Sequence, residues 1–528
     1  MIAYVVERGG STQLYIRNLS SIDAVPVAGT EGASAPFFSS DSQWIGFSTD
    51  SHLLKVGVDG GAPQTICEAS ESRGATWRGD LIVFNMGTSG IWSVPGTGGK
   101  PRWIARPSAR AGEVNLLWPE LLPDGEHLLV GVTHADHSDV VALSLSTGVR
   151  TLVARDAASA RYFKDGYLLV SRGSSLLAAR FDVKHLRLIS PLVPVVEGVV
   201  TIGPFQRALY SVSDDGNLIY VPGGTGIVKN ELTWIDRSGH VTSAAFPLQQ
   251  YEEPRLSHDG TRVAMTIRVG PAAADIWTAD LSHNTLTRLT FDPTEEETPA
   301  WTPDGQRIAY AALHGVPSIF WRRADGTGPE ELLASTSSQG GHLHMGAFSP
   351  DGRTFACTDY SSTSAADIWI MSLADRKLRP FVATPFNERG PRFSPDGKFI
   401  AYTSNETGRD EIHVQSFPSP GGKWQISDGG GREPVWSPTG KEVFYRSGDR
   451  MMAVDVETAA LFRAGTPHQL FAGHFVPMRR GEASYDVSRD GTKFLMVQGD
   501  QSGGPQHLVV ALDWFGEVLR RLARADTQ

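Results

Sequence analysis

The sequence predicts an all-β protein of two tandem β-propellers, each of about six four-stranded blades, ending in a short helix. Three observations carry that expectation: a turn motif recurring at blade-length spacing, β-branched and aromatic runs flanking each copy, and a Gly-rich break between two sets of copies.

The motif is a large apolar residue followed by Ser-Pro-Asp-Gly or a close variant. In the second half the copies are Leu256-Ser-His-Asp-Gly260, Trp301-Thr-Pro-Asp-Gly305, Phe348-Ser-Pro-Asp-Gly352, Phe393-Ser-Pro-Asp-Gly397, Trp436-Ser-Pro-Thr-Gly440 and Val487-Ser-Arg-Asp-Gly491. Proline presets φ at the second turn position, Asp favours the third, and Gly takes the positive φ that closes the hairpin. The large residue ends one strand and the next run begins another, as at 262–267, 307–311, 399–403 and 442–445. Third strands are expected at 275–277, 318–320, 367–369 and 411–413, and shorter fourth strands at 287–290 and 424–427.

The first half repeats the unit with more drift. Phe38-Ser-Ser-Asp-Ser42, Leu122-Pro-Asp-Gly125, Phe163-Lys-Asp-Gly166 and Val212-Ser-Asp-Asp-Gly216 mark four copies, and 74–84 is a fifth with its turn shortened to Arg78-Gly-Asp80. Residues 1–30 read as a blade without its innermost strand. Val221-Pro-Gly-Gly-Thr-Gly-Ile227 is the break, giving a first propeller over 1–222 and a second over 223–528. An open edge invites aggregation, so a ring should close by pairing its ends, here 232–235 with 507–512. The tail 514–525 reads as an amphipathic helix with Phe515, Val518, Leu519 and Leu522 on one side.

The copies resemble the WD40-like, TolB-type (PD40) propeller repeat. Glu231-Leu-Thr-Trp-Ile-Asp-Arg-Ser-Gly239, Thr287-Arg-Leu-Thr-Phe-Asp292, Thr384-Pro-Phe-Asn-Glu-Arg389, Ser404-Asn-Glu-Thr-Gly-Arg-Asp-Glu-Ile412 and Val509-Val-Ala-Leu-Asp-Trp-Phe515 resemble the propeller region that follows the kinase domain of many bacterial serine/threonine protein kinases. That resemblance implies a sensing or docking role, in a chain that carries neither the kinase domain nor its membrane span.

Composition and motifs narrow the chemistry. A net charge of −10 argues against nucleic acid or an anionic membrane surface as partner. The start shows no charged segment followed by an apolar stretch, so the chain as given is expected in the cytoplasm, or in the periplasm or outside the cell if its true start lies upstream. Cys67 and Cys357 are expected to be separate buried thiols. No kinase signature set and no Gly-x-Ser-x-Gly elbow is present; Asp513-Trp-Phe-Gly516 only resembles the kinase metal-binding motif. His342 with His344, and His134 with His137 beside Asp136 and Asp139, have spacings that a metal could use, yet both pairs read as solvated loop histidines. No cofactor, metal or catalytic residue is expected.

Function on a propeller concentrates at the channel mouth. Counting back from each second-half turn reaches the entrance of the innermost strand. There stand Glu252 and Glu253, Glu296 and Glu297, His342 and His344, Glu388 and Arg389, Arg432 and Glu433, and Glu482. Glu253, Glu297, His342, His344, Glu388, Arg389, Arg432, Glu433 and Glu482 are the candidate ligand-binding set: an acidic mouth with two arginines, suited to a cationic group, a peptide terminus or a divalent ion. The leading expectation is a non-catalytic binding module for a protein, peptide or small ligand. A periplasmic TolB-type scaffold and a metal-dependent propeller lyase or lactonase are the alternatives.

Overall fold

A computed structural model describes the chain except at residues 9–10, 22, 50, 70–71, 73, 88–89, 135–136, 165, 203–206, 224–229, 269–272, 293–294, 314–315, 336–341, 361–365, 420, 460, 474, 477–481, 500–507 and 526–528. Asp136, most of the Gly-rich break and His507 therefore lie outside the described residues. The chain forms two compact units, 1–227 with 503–528, and 228–502.

The second unit is a six-bladed propeller. Blades I to V are the sheets spanning 251–288, 296–335, 342–382, 388–425 and 432–472, each running outward in chain order. Blade VI joins both ends of the unit: Tyr485–Val487 and Lys493–Gly499 form its inner half, Asn230–Asp236 and Val241–Ser243 its outer half. Asn230–Asp236 pairs with Lys493–Gly499 over seven residues, Asn230 opposite Gly499 and Asp236 opposite Lys493. Apolar cores fill each blade interface in turn. Ile276 shares a core with Tyr310, Ile319 with Phe355, Ile368 with Tyr402, Ile412 with Tyr445, Phe444 with Phe494, and Leu495 with Met265, which closes the ring.

The Ser-Pro-Asp-Gly turn works as its residue types imply. The Ser257 hydroxyl donates to Asp259 (2.6 Å), the Thr261 amide donates to the same carboxylate (3.0 Å), and Gly260 takes φ +73°. Ser349 with Asp351, Ser394 with Asp396 and Ser488 with Asp490 repeat the bond at 2.6 Å.

Among the described residues of the first unit, six sheets of three or more strands follow one another with cores between neighbours in chain order, and a two-stranded ladder, Thr201–Ile202 with Arg207–Ala208, precedes the last of them. The first sheet has three strands, Ile2–Arg8, Ser11–Arg17 and Val25–Pro26. The last is formed by Tyr210–Val212, Leu218–Tyr220 and Val509–Ala511.

That last pairing differs from the expected closure. Val509–Ala511 lies beside Leu218–Tyr220, so residues 232–235 do not share a blade with the C-terminal strand, and the tail belongs with the first unit. The physical reason is an unfilled edge in each unit. The chain leaves the first unit after only two strands of its last sheet, and the returning segment supplies a third. The helix Phe515–Ala525 then buries Val518 and Leu522, with the preceding Trp514, against Phe163, Leu169 and Leu218. Leu519, expected on the buried side, is 40% exposed. Among the described residues no helix is long and apolar enough to cross a membrane. Cys67 and Cys357 are buried free thiols, and burial pushes the Cys67 thiol up to about 12.

Candidate functional site at the mouth of the second propeller

The inner strands of the second unit carry a shared irregularity. Four residues before the Ser or Thr of the turn, Glu253, Thr298 and Glu433 adopt φ of +53°, +56° and +61°, and Gly390 stands at the same place with φ +63°. Here the ladder slips, between Glu252 and Arg255, Glu297 and Ala300, Arg389 and Arg392, and Arg432 and Val435. A bulge re-aims side chains and removes a backbone amide from the ladder. Side chains from the preceding blade meet those amides. Glu253 Oε2 accepts from the Thr298 amide (2.7 Å), Thr298 Oγ1 from the Met345 amide (3.0 Å), and Glu433 Oε2 from the Ser484 amide (2.7 Å). In blade III the bulge falls at Gly346, where a Cβ would sit 2.7 Å from the Pro391 ring and carbonyl oxygen.

Glu253 and Glu433 are therefore blade-to-blade braces. Glu253 also accepts from the Thr266 hydroxyl (3.0 Å), and Glu433 takes the Ser484 hydroxyl (2.7 Å) and stands 3.5 Å from the buried Arg446 guanidinium. Burial, with Glu297 and Glu482 nearby, raises the Glu253 carboxyl well above the ordinary range. Glu388 is likewise enclosed: its Oε1 accepts from the hydroxyls of Thr384 (2.7 Å) and Ser404 (3.1 Å), and burial raises its pKa. Glu296 turns inward as well, pushed up to about 8 by burial against the opposing Thr290 hydrogen bond.

The remaining candidates form two groups. On blades IV and V, Arg389 and Arg432 share Asp410. Arg389 Nη2 contacts both its oxygens at 3.1 Å and Arg432 Nε lies 2.6 Å from Oδ2. Burial would raise the Asp410 carboxyl, but the two guanidinium groups hold it below its ordinary value. Arg432 stays 47% exposed at its side chain.

On blades I, II, III and VI the mouth is acidic. Arg268 lies 2.9 Å from Glu252, 2.5 Å from Glu295 and 4.0 Å from Glu297. His344 is enclosed between two carboxylates, Nε2 3.1 Å from Glu297 Oε1 and Nδ1 3.1 Å from Glu482 Oε1. Burial works against its charge, but Glu482 and Glu297 outweigh it and raise the imidazole to about 10. The Tyr360 ring lies 4.8 Å from the His344 ring, centroid to centroid. Glu295, Glu297, His342, Leu343, Ala311, Ala312 and Pro317 line a small open cleft. The two histidines expected in a solvated loop thus lie on an inner strand, His342–Phe348, and His344 is buried. In the first unit, His134 and His137 stack with ring centroids 4.4 Å apart, and His137 Nε2 lies 3.8 Å from Asp139.

Three residues that organise this mouth, Arg268, Glu295 and Asp410, escape a count back from the turn. Arg268 ends a second strand, Arg262–Arg268, and Asp410 precedes a third, Glu411–Ser416. The available signal was their charge at or beside a strand end.

Comparison with known proteins places this site in context. Residues 332–463 match the PD40 family model, described as the TolB beta propeller domain. The Tol-Pal system protein TolB of Anaeromyxobacter dehalogenans strain 2CP-C is 31% identical over 114 residues, 22% of this chain and 25% of that protein. The same protein of Anaeromyxobacter sp. strain K gives the same figures, so the match spans a quarter of the length of these relatives. Among solved structures, a TolB candidate from Agrobacterium tumefaciens aligns with TM-score 0.43 and 19% identity over 52% of this chain and 99% of that one. TolB from Acinetobacter baumannii aligns with TM-score 0.33 and 23% identity over 46% and 65%. The stretch matched by the family model begins in the outer strand of blade II and runs into blade V of the second propeller.

Proposed function

We propose that the second propeller is a non-catalytic binding module that takes a cationic group of a protein, peptide or small ligand at the acidic side of its mouth. One observation carries this reading: Glu252, Glu295 and Glu297 converge on a single guanidinium, Arg268, beside a cleft that Glu295 and Glu297 line. Partly desolvated carboxylates attract a cation more strongly than exposed ones, because the local dielectric is lower. The non-catalytic part of the reading is supported by how the other candidates are used: Glu253, Glu388 and Glu433 are occupied with blade hydrogen bonds, and Arg389 with Asp410. The setting we favour is a relative of kinase-linked sensor propellers, on the strength of the ordered sequence stretches that resemble them.

A TolB-type scaffold that docks envelope proteins in the periplasm is the second reading. It is favoured by the domain match at 332–463 and by relatives named as Tol-Pal system proteins.

The test is a panel of lysine-containing peptides with free amino termini, titrated against the full chain in the presence of a metal chelator. Glu295→Lys reverses a charge at the cleft without touching a brace. Binding by the wild type and at least about tenfold weaker binding by the variant is expected, since one lost charge-assisted contact is worth about 1.5–3 kcal/mol. Equal affinities would remove the acidic cleft from the reading.

A further inference from the structure

We propose that Glu297, His342 and His344 bind a divalent transition ion of the zinc type, with Glu482 orienting His344 from its far side. This rests on the reading of the mouth as the binding site and names an inorganic ligand for it.

One oxygen of Glu297 and one ring nitrogen of each histidine all lie within 4.8 Å of one another. Zinc bonds of about 2.0–2.2 Å in a tetrahedron set donor atoms roughly 3.3–3.5 Å apart, a gap that modest side-chain rotation closes. Glu297 Oε1 and His344 Nε2 are already 3.1 Å apart. His342 and His344 are alternate residues of one strand, paired opposite Tyr360 and Thr358, so they project to one side of the sheet. Glu297 comes from the inner strand Glu296–Trp301 of the adjacent blade. The ion would bridge blades II and III.

A second observation, independent of that convergence, concerns the other face of His344. A metal-binding histidine commonly gives its remaining ring nitrogen to a carboxylate, which fixes the tautomer and the ring plane. Glu482 Oε1 stands 3.1 Å from Nδ1 as a buried ion-pair contact, Glu482 being 1% exposed, and a small rotation of the ring or the carboxylate would align the two as a hydrogen bond. Nε2 is left on the Glu297 side, where the ion would replace the shared proton and release it to solvent. Arg268, 4.0 Å from Glu297 Oε2, leaves Oε1 as the ligand oxygen. Two imidazoles and one carboxylate suit zinc better than calcium or magnesium, which take oxygen ligands. The cleft lined by Glu297 and His342 gives the fourth position access to water or a ligand. His134, His137 and Asp139 also approach one another, but the two rings are stacked within 9° of parallel, so their in-plane lone pairs do not converge. That cluster serves as the control.

The experiment titrates zinc into the full chain in competition with a chromophoric chelator. One equivalent should bind the wild type, at least about tenfold more weakly in His342→Ala and in Glu297→Gln, and roughly 10–100-fold more weakly in Glu482→Gln. His137→Ala should leave that equivalent unchanged. Glu297→Gln is near-isosteric, and circular dichroism checks that it folds; cobalt in place of zinc should lose its intense tetrahedral visible band in this variant. No zinc bound by the wild type, or equal affinity in wild type, His342→Ala and Glu297→Gln, would overturn the proposal. Peptide binding measured with chelator present is a separate readout, so failure of the ion and failure of the cleft reading are told apart.

Discussion

Glu433 and Glu253 occupy the same position in two blades and do the same geometric task, yet their surroundings differ. Each carries a positive φ and caps the next blade's bulge amide. Glu433 faces Arg446, which is 4% exposed and otherwise meets Ser484 Oγ and the carbonyls of Val476, Gly448 and Phe475. Removing one partner of a buried ion pair strands the other and costs about 3–5 kcal/mol. Glu433→Ala should therefore lower the unfolding free energy of the second unit by about that amount in urea, with Glu433→Gln intermediate. Glu253 faces carboxylates instead, and burial already drives it toward its protonated form. A glutamine mimics a neutral acid, so Glu253→Gln should change stability by less than about 1 kcal/mol at neutral pH. Residue counting picked both positions but not these roles. A bulge that turns a side chain from the mouth to the neighbouring blade leaves no mark beyond a proline one residue later, at Pro254 and Pro434.

The blade is the element most legible in the sequence, because its turn is local chemistry. Serine, aspartate and glycine at fixed offsets lock a hairpin whatever the rest of the chain does. Asp259 and Asp490 show the strength of that lock: hydroxyl and amide donors hold both carboxyls down to about 2. Blade V departs from the rule. There Thr439 replaces the aspartate, and its hydroxyl meets Ser437 Oγ at 3.0 Å. A carboxylate at this place could accept both the Ser437 hydroxyl and the Lys441 amide, as Asp396 does for Ser394 and Lys398. Thr439→Asp should stabilise the second unit by about 0.5–1 kcal/mol, raising its urea midpoint without changing the slope. The sign of the pH dependence follows from the lowered pKa. The gain is fully present above the unfolded value near 3.8 and fades as pH falls toward 2. An equal midpoint at pH 7 would show that the threonine already satisfies the turn.

At the scale of the whole molecule, legibility ends where strands from distant parts of the chain meet. Any edge strand with alternating apolar residues can pair with any other, so local pattern does not say which end closes which ring. The count of blades was readable; the partner of Val509–Ala511 was not. The structure gives the tail a measurable task. Residues 503–528 bring Trp514, Val518 and Leu522 into the first unit, 8%, 0% and 3% exposed, along with a strand beside Leu218–Tyr220. The Asp513 amide adds a bond to Asn217 Oδ1 at 2.8 Å. Burying three such side chains contributes roughly 5–9 kcal/mol, comparable with the whole stability of a domain. A chain ending at residue 502 should lose the cooperative unfolding transition of the first unit. It should keep that of the second, whose six interfaces and closing strands Asn230–Asp236 and Lys493–Gly499 lie within 228–502. Differential scanning calorimetry of the two chains decides it. If the shortened chain instead retains the first transition and loses the second, the tail closes the second ring, as the sequence alone suggested.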